Sequence, residues 1–345
     1  MKFLNIVIKT RFTFLVGISV VFGQLAHADN APVHVNVDNF VRAETAAQID
    51  RLLQTYVGGK INTWAHIRLP APIDNQTVIR LNRDTLYSAI VVDISKGATL
   101  TIPDTGDRYL SVMIVNEDHY INNVYHDAGT YELTMDEFHT PYVMVSARTL
   151  VDSSDPADIE KVNALQDQMT IKAASGKPYT HPNYDQASYQ ATYGALIELS
   201  RGLPDAMRTF GKKEEVDEVR HLIGAAFGWG GLPEHEANYL NVEPNLPVGA
   251  YEITVKDVPV DAFWSISVYN QDGFFDENEY DAYSVNNISG TPNEDGSFTV
   301  HFGGDPESVN FLPIMEGWNY IVRLYQPRKE ILDGTWNFPT VQEVK

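Results

Sequence analysis

Hydrophobic and polar positions divide the chain into helical and β-rich stretches. Apolar residues recur at the helical period from Val41 to Tyr56 and stop before Gly58 and Gly59, which predicts a helix there. From residue 77 to 152 the pattern changes to short β-branched and aromatic runs separated by turn signals such as DTGD. This second stretch is therefore predicted to be all β.

Helical patterns return in the middle of the chain. Asp155 followed by Pro156 is a typical helix start, and two more stretches with apolar residues at helical spacing follow before Gly228. From Ala250 to the end the pattern is β again, most clearly in VDAFWSISVYNQDGFF. The order of these elements predicts an α+β fold that is mainly β.

The two β-rich stretches resemble each other. The first contains YLSVMIVNED at 109–118, which aligns without a gap on FWSISVYNQD at 263–272, and residues 142–145 resemble 320–323 further on. We therefore predict two related antiparallel β-sandwich or jelly-roll-like halves joined by a helical segment. The expected units are a signal peptide at 1–28, an N-terminal helix with a first β domain at 29–153, a helical connection at 154–245 and a C-terminal β-sandwich at 246–345.

The first 28 residues have the pattern of a secretory signal peptide. Lys2, Lys9 and Arg11 precede an apolar run at 12–22, and AHA follows at the positions that a signal peptidase reads. The apolar run is too short for a membrane anchor, which needs roughly 20 residues. We therefore predict a periplasmic or secreted protein that has no membrane association after cleavage.

The charge of the chain restricts its partners. It has 46 acidic and 25 basic residues, a net charge of −21, and no cysteine. A field of this sign repels nucleic acid phosphates and anionic lipid surfaces. Without cysteine, disulfides and thiolate chemistry are excluded. The expected partner is a small-molecule ligand, and the sequence leaves the oligomeric state open.

Polar residues cluster where one predicted strand begins. In RLNRDTLYS, Asn82 and Asp84 come directly before a strand that starts at Thr85 and carries Tyr87 on the face away from the core. One interpretation is an Asx turn with a nearby arginine paired to Asp84. The other is a polar cluster that lines a pocket, with Asn82, Thr85 and Tyr87 contacting a substrate.

This cluster belongs to a wider resemblance. Three stretches are similar to the paired domains of unknown function numbered 1254 and 1214, often found together in exported bacterial proteins: NRDTLYS, IPDTGDRYLSVMIVNEDHY and NFLPIMEGWNYIVRLYQPRKEILDGTWNFP. The last contains a closing Arg-x-Tyr-x-Pro element at Arg323, Tyr325 and Pro327. The resemblance implies a β-rich two-domain molecule whose second domain is jelly-roll-like. It implies no agreed reaction, although relatives carry the label carboxylesterase.

That label requires a nucleophile, and the sequence lacks the usual one. A serine esterase of the α/β-hydrolase type exposes its serine on a Gly-x-Ser-x-Gly turn, and this sequence has no such motif. An esterase built on this chain would use a water molecule activated by a carboxylate, a histidine or a metal ion. No cofactor is required by the sequence, and a divalent cation is compatible with it.

The best acid–base candidates follow the first of the two similar strands. The chain reads NEDHY there, with Glu117 and His119, where the second copy reads NQDGF, a hairpin turn with the expected glycine. The first copy lacks the glycine that favours such a turn, which predicts a functional site there. The alternative is that these residues belong to a solvent-exposed loop. We therefore predict Asp84, Glu117 and His119 as proton-transfer groups, with His126 as a further acid–base group or metal ligand.

Arg323 alternates with apolar neighbours on its strand, so a buried guanidinium there needs a carboxylate or a ligand anion. Arg148 raises the same question in the first half. A structural ion pair is one reading, and substrate binding by Arg323 and Tyr325 is the other. The sequence thus predicts an uncharacterised exported protein, either a hydrolase or lyase that acts on a small carboxylate, ester or sugar acid, or a non-catalytic periplasmic ligand- or carbohydrate-binding protein.

Overall fold

A computed structural model of the chain describes residues 31–76 and 78–344. The signal peptide expected at 1–28 lies outside the described residues. The helices are α1 (Phe40–Tyr56), α2 (Met135–Phe138), α3 (Pro156–Gln166), α4 (Gln186–Ser200), α5 (Glu218–Gly228) and α6 (Lys329–Leu332). The strands are β1 (Ala65–His66), β2 (Thr85–Asp93), β3 (Ala98–Ile102), β4 (Leu110–Asn116), β5 (Ile121–Tyr125), β6 (Gly129–Leu133), β7 (Tyr142–Leu150), β8 (Thr170–Ala173), β9 (Ala237–Val242), β10 (Tyr251–Val255), β11 (Trp264–Tyr269), β12 (Ser284–Asn286), β13 (Phe298–Phe302), β14 (Phe311–Leu312), β15 (Asn319–Tyr325) and β16 (Gln342–Glu343).

The fold is α+β and mainly β, as the sequence predicts. The first β region forms two antiparallel sheets, one with strand order β1-β2-β7-β4-β5 and one with order β6-β3-β8. Their apolar side chains share one core, which includes Ile90 and Val92 of β2, Leu100 of β3 and Val145 of β7. Because side chains alternate along a strand, Tyr87 of β2 points away from this core.

The second β region also has two sheets around one core. Their strand orders are β12-β11-β15-β9 and β14-β13-β10-β16, and neighbouring strands are antiparallel except for β13 and β14. Ile253 of β10, Ile266 of β11, Phe302 of β13 and Val322 of β15 lie in the apolar core between the sheets. The opposite face of the β11–β15 sheet carries serine, tyrosine and arginine side chains.

Part of the strand order is common to the two regions. The positions of β2-β7-β4-β5 in the first region correspond to those of β9-β15-β11-β12 in the second, and β6-β3 correspond to β13-β10. In the first region Ser111 of β4 lies opposite Arg148 of β7. In the second region Ser265 of β11 lies opposite Arg323 of β15. Each region therefore places one serine and one arginine side by side on the face away from its own core.

The turns after β4 and β11 also share one geometry. In each turn the asparagine side chain, Asn116 or Asn270, accepts two backbone N–H groups at 2.9–3.0 Å. Gly273 in the second turn has φ 84°, and His119 has φ 62° at the corresponding position of the first. Glycine adopts this left-handed conformation without strain, whereas a side chain with a Cβ does not. The fold thus holds His119 in a left-handed backbone conformation that residues other than glycine rarely adopt.

The helices lie against the outer face of the first sheet. Ile49 and Leu53 of α1 contact Val91 of β2 and Met144 of β7, and α4 and α5 pack on α1. The stretch 154–245, expected to be a helical connection, also contains β8 and β9, which become strands by pairing with the distant β3 and β15. No helix in the described part of the chain is long and apolar enough to span a bilayer.

Candidate ligand-binding site between the two β regions

The start of β2, in the first region, packs against the polar face of β11 and β15 in the second region. Asp84 is 1% exposed there, and its two carboxylate oxygens accept hydrogen bonds from Ser265 (2.6 Å) and Ser284 (3.1 Å). Arg323 is 3% exposed, and its Nη1 lies 3.9 Å from Asp84 Oδ2. This is a buried ion pair that joins residues of the two β regions.

Arg323 is held by neutral groups as well. Its guanidinium donates to the hydroxyls of Ser267 (2.8 Å) and Tyr269 (2.7 Å) and to the carbonyls of Arg80 and Leu81 (both 3.1 Å). Burial alone would lower the pKa of Arg323, but its interactions with Tyr269, Tyr325 and Asp84 raise the pKa above its ordinary value. Protein groups therefore satisfy this guanidinium without any ligand.

Asn82 forms the Asx turn that the sequence predicts and also reaches the second region. Its Oδ1 accepts the N–H of Asp84 at 2.8 Å, and its Nδ2 donates to the hydroxyl of Tyr325 at 2.8 Å. The hydroxyls of Tyr87 and Thr85 lie 3.4 Å from the same nitrogen. The predicted substrate-binding residues Asn82, Thr85, Tyr87, Arg323 and Tyr325 are thus brought together with Asp84 at one interface.

Tyr239 of β9 marks an opening in this interface. Burial raises the pKa of Tyr239, and the hydroxyl lies within electrostatic range of Arg148, Tyr87 and Arg323. The residue nevertheless remains 39% exposed. Tyr239 thus lies where the interface of the two β regions meets solvent, with the half-buried Tyr87 near it, and we take the solvent-facing side of these two residues as the candidate cleft.

Arg148 lies at the same interface and has fewer partners than Arg323. It is 8% exposed, its Nη2 donates to the carbonyl of Gly230 at 2.9 Å, and its guanidinium lies 5.6 Å from the centre of the Tyr87 ring. Among the described residues it has no ion pair. A buried charge without a counter-ion is rare in proteins because its desolvation is not compensated.

Two family models match the chain over these same regions. Residues 61–173 match a protein of unknown function (DUF1254), and residues 235–329 match a second protein of unknown function (DUF1214). The chain carries both domains. The interface described above therefore lies between the DUF1254 domain, which supplies Asn82 and Arg148, and the DUF1214 domain, which supplies Tyr239 and Arg323.

Solved structures share the fold. The VPA0106 protein from Vibrio parahaemolyticus is 17% identical, with a TM-score of 0.70 over 90% of this chain and 100% of that one. An uncharacterized protein from Burkholderia cenocepacia is 15% identical, with a TM-score of 0.50 over 89% of this chain and 87% of that one. No curated protein matches the chain significantly. Identities this low show a shared fold and carry no function.

Glu117 lies far from the interface of the two domains. It follows the last residue of β4 beside Tyr142, whereas Asp84 lies beside Val151, so the length of β7 separates them. That length is roughly 30 Å at about 3.3 Å per residue. Glu117 is buried under α1, 3.6 Å from Arg42, and burial raises its pKa. The convergence of Asp84 and Glu117 that an acid–base mechanism needs is not present.

His119 is a buried structural group. Its Nε2 accepts the N–H of Gly230 at 2.9 Å, and its ring stacks between Trp229 and His221. Burial, and then the neighbouring His221, lower the pKa of His119 well below its ordinary value, so the ring is neutral. Its link to the interface is indirect, because Gly230 also accepts a hydrogen bond from Arg148. His119 therefore positions Gly230 and has no solvent-facing nitrogen.

The remaining candidates are dispersed. His126, predicted to act with Glu117 and His119, instead bonds to Glu236 (2.7 Å) and to the carbonyl of Leu110 (2.8 Å) at the other end of β4. Among the described residues no group of three or more acidic, histidine or cysteine side chains is placed to hold a metal ion. A separate cavity of about 240 Å³ adjoins Asp84 and is lined mainly by polar residues, among them three aspartates and four serines.

The sequence pattern does not point to Tyr239, and for Arg148 it indicates only that a buried guanidinium there would need a partner. The alignment of 142–145 on 320–323 is out of register by three residues, since Arg148 rather than Val145 corresponds to Arg323. No sequence signal identifies Tyr239, because its role depends on where β9 pairs.

Proposed function

We propose that the protein binds a small polar organic molecule in the cleft between the DUF1254 and DUF1214 domains. The observation that carries the proposal is Tyr239, which remains 39% exposed where the two domains meet. Ligand sites in proteins are concave and are often located between domains, with a few polar groups that fix orientation. The half-buried Asn82 and Tyr87 supply such groups near Tyr239.

Binding without turnover is better supported than hydrolysis or elimination. Both carboxylate oxygens of Asp84 already accept serine hydroxyls, and His119 is buried and neutral. Glu117 lies at the opposite end of the sheet. General acid–base catalysis needs groups within hydrogen-bond reach of a common substrate atom, and these three residues do not meet. We therefore favour a non-catalytic ligand-binding protein over the predicted hydrolase or lyase.

The cleft favours a ligand with hydroxyl groups and a flat or ring-shaped body. The hydroxyls of Tyr87 and Tyr239 can donate and accept hydrogen bonds, and their rings provide apolar surface next to them. Sugars and hydroxy acids combine the same two features. The proposal includes export, which the residues at 1–28 support, so the ligand would be met in the periplasm or outside the cell.

We also propose that the two domains are related β-sandwich, jelly-roll-like units. The common strand order, the paired Ser111–Arg148 and Ser265–Arg323 and the identical asparagine turns support this relation. On this view the cleft arose where two copies of one polar sheet face meet. Sites at such junctions belong to neither unit alone.

A ligand screen with a cleft-filling variant tests the proposed function. The melting temperature of the protein would be measured with monosaccharides, hydroxy acids and simple carboxylates, because a ligand that binds only the folded state raises it. In Tyr239→Trp the larger ring occupies the cleft. Tyr56→Trp, at an exposed position of α1, is the matched control. We expect at least one compound class to stabilise the wild type and the control but not Tyr239→Trp.

Equal stabilisation of Tyr239→Trp and the wild type would contradict the proposal, as would the absence of any stabilising compound. Tyr239→Phe covers the case in which the tryptophan disturbs folding. It keeps the shape of the residue and removes only the hydroxyl, so it should bind the same compounds more weakly. Unchanged affinity in Tyr239→Phe would show that the Tyr239 hydroxyl does not contribute to ligand binding.

A further inference from the structure

Arg148 and Arg323 occupy equivalent positions in the two domains. Each lies opposite a serine on the neighbouring strand, Ser111 for Arg148 and Ser265 for Arg323. On the other side each lies opposite a tyrosine, Tyr87 for Arg148 and Tyr239 for Arg323. The two positions therefore provide an internal comparison of one arrangement in two environments.

The environments differ in what reaches the guanidinium. Arg323 has the carboxylate of Asp84 at 3.9 Å, two hydroxyls and two carbonyls around it. Arg148 has the carbonyl of Gly230, and its Nη1 is buried without any hydrogen-bond partner. Arginine stays charged at every physiological pH. The DUF1254 domain thus contains a buried positive charge for which its own residues supply too few hydrogen-bond acceptors.

Two more hydroxyls next to Arg148 have no partner outside their own pair. The hydroxyls of Tyr109 and Ser111 are buried, lie close to each other and contact no other hydrogen-bonding group among the described residues. Tyr109 and Ser111 are two residues apart, so they lie on the same sheet face as Arg148, which pairs with Ser111. Arg148 Nη1 and at least one hydroxyl hydrogen of the Tyr109–Ser111 pair therefore lack an acceptor at one place.

No acidic side chain of the described residues neutralises this group. Glu236, which contributes to the electrostatics of Tyr109, is bound to His126 at 2.7 Å. The other groups facing Arg148 are the neutral hydroxyls of Tyr87, Tyr239 and Tyr325. Buried polar groups in folded proteins nearly always have partners, and an unpaired one calls for an unseen ligand or water.

We propose that Arg148, Ser111 and Tyr109 bind the carboxylate group of an organic ligand. The inference deepens the proposed function and rests on it, since the rest of the ligand would lie in the cleft beside Tyr87 and Tyr239. The ligand carboxylate takes at Arg148 the place that Asp84 takes at Arg323. Guanidinium and hydroxyl donors suit the two oxygens of a carboxylate.

The single positive charge of Arg148 determines which class of anion the site can bind. One guanidinium with two neutral hydroxyls balances one negative charge. A phosphate monoester carries nearly two at neutral pH, so its second charge would be buried without compensation. We therefore infer a monoanionic carboxylate, such as a uronic, hydroxy or aromatic acid, rather than a phosphate.

Titration calorimetry with matched pairs of probes tests this inference. The probes are glucuronate, lactate and benzoate, each compared with its neutral amide, and methyl phosphate. The proteins are the wild type, Arg148→Met, Ser111→Ala and the surface control Arg201→Met, whose side chain is 69% exposed. We expect at least one carboxylate to bind the wild type and Arg201→Met, and its amide to bind at least about tenfold more weakly.

The variants distinguish carboxylate binding at Arg148 and Ser111 from binding of the rest of the ligand in the cleft. Arg148→Met should weaken carboxylate binding at least about tenfold, and Ser111→Ala by a smaller factor, since charged hydrogen bonds are the stronger ones. Equal affinity for acid and amide, or stronger binding of methyl phosphate, would overturn the carboxylate inference. If the amides bind and Tyr239→Trp abolishes that binding, the inference fails while the proposed function stands. If no probe binds any protein, both fail.

Discussion

At the scale of single residues, the two equivalent arginines lead to opposite expectations for stability. Arg323→Met leaves Asp84 buried without its counter-ion, and breaking a buried pair from one side costs about 3–5 kcal/mol. Arg148→Met removes a charge that the protein does not compensate, so the variant should be within about 1 kcal/mol of the wild type or more stable. Urea unfolding of the ligand-free proteins measures both values.

The comparison is controlled within the molecule, because both substitutions replace an arginine by methionine at equivalent strand positions. A loss of several kcal/mol in Arg148→Met would contradict the account, since it would mean that the guanidinium has strong partners within the protein. A small loss in Arg323→Met would show that the Asp84 ion pair is not part of what holds the domains together.

His119 predicts a particular dependence of stability on pH. Its pKa in the folded protein is lowered by burial and by His221, so the unfolded chain binds more protons once the pH falls below the ordinary histidine pKa. The stabilisation is complete above about pH 6.5 and is lost as the pH falls further. His126 and His181 have raised pKa values and act in the opposite direction.

The variant His119→Asn isolates this contribution, because asparagine tolerates a positive φ and does not titrate. Urea unfolding at pH 8, 6 and 5 should show a steeper loss of stability with acid for the wild type than for His119→Asn. The variant is expected to be less stable at pH 8, since the stacked ring is lost. Parallel curves for the two proteins would be inconsistent with a neutral, buried His119.

At the scale of elements, the turn after β11 docks on the segment before β2. The N–H of Arg80 donates to the carbonyl of Gly273 at 2.7 Å, and a Cβ on Gly273 would lie 3.2 Å from the Cβ of Ile79. Gly273→Ala should therefore cost about 1–2 kcal/mol for its positive φ and about 1–3 kcal/mol more for crowding. Unfolding experiments measure the sum.

Gly296→Ala is the matched control for this turn. Gly296 also has a positive φ, 80°, but a Cβ there would meet nothing within 4 Å. The loss of stability in Gly296→Ala should equal the cost of the positive φ alone, about 1–2 kcal/mol. If the two alanine variants were equally destabilised, the turn would accommodate the added methyl group, and the packing of Gly273 against residues 79–80 would not be tight.

The strands and helix starts could be predicted from the sequence because they depend on local patterns. The alternation of β2 placed Ile90 and Val92 in the core, and Asp155 caps α3 as expected. The Asx turn at Asn82 followed from the same kind of local reasoning. These features need only a few neighbouring residues, so one sequence contains the information.

The site depended on contacts between residues far apart in the chain and was harder to predict. The glycine-to-histidine change at His119 indicated a functional turn, but tertiary packing buries the ring against Trp229 and His221 instead. The partner of Asp84 is Arg323, not a neighbouring arginine. Such pairings are set by how the two domains face each other, which no local pattern encodes.

At the scale of the whole molecule, the two domains should unfold together. Among the described residues, the carboxylate of Asp84 bonds only to side chains of the DUF1214 domain, and Tyr109 packs on Phe263 and Tyr325 across the interface. A separated domain would expose these apolar rings and leave the polar groups without their partners. Calorimetry of the ligand-free protein should therefore show one transition, with equal van't Hoff and calorimetric enthalpies. Two resolved transitions would mean that the interface couples the domains only weakly.

A crystal structure of the protein with the carboxylate that binds most tightly in the calorimetric screen tests the proposed carboxylate site most directly. We expect the carboxylate oxygens of the ligand within hydrogen-bond distance of Arg148 Nη1 and the hydroxyls of Ser111 and Tyr109, with the rest of the ligand beside Tyr87 and Tyr239. A ligand bound in the acidic cavity next to Asp84, with Arg148 still unpaired, would show that the site lies elsewhere.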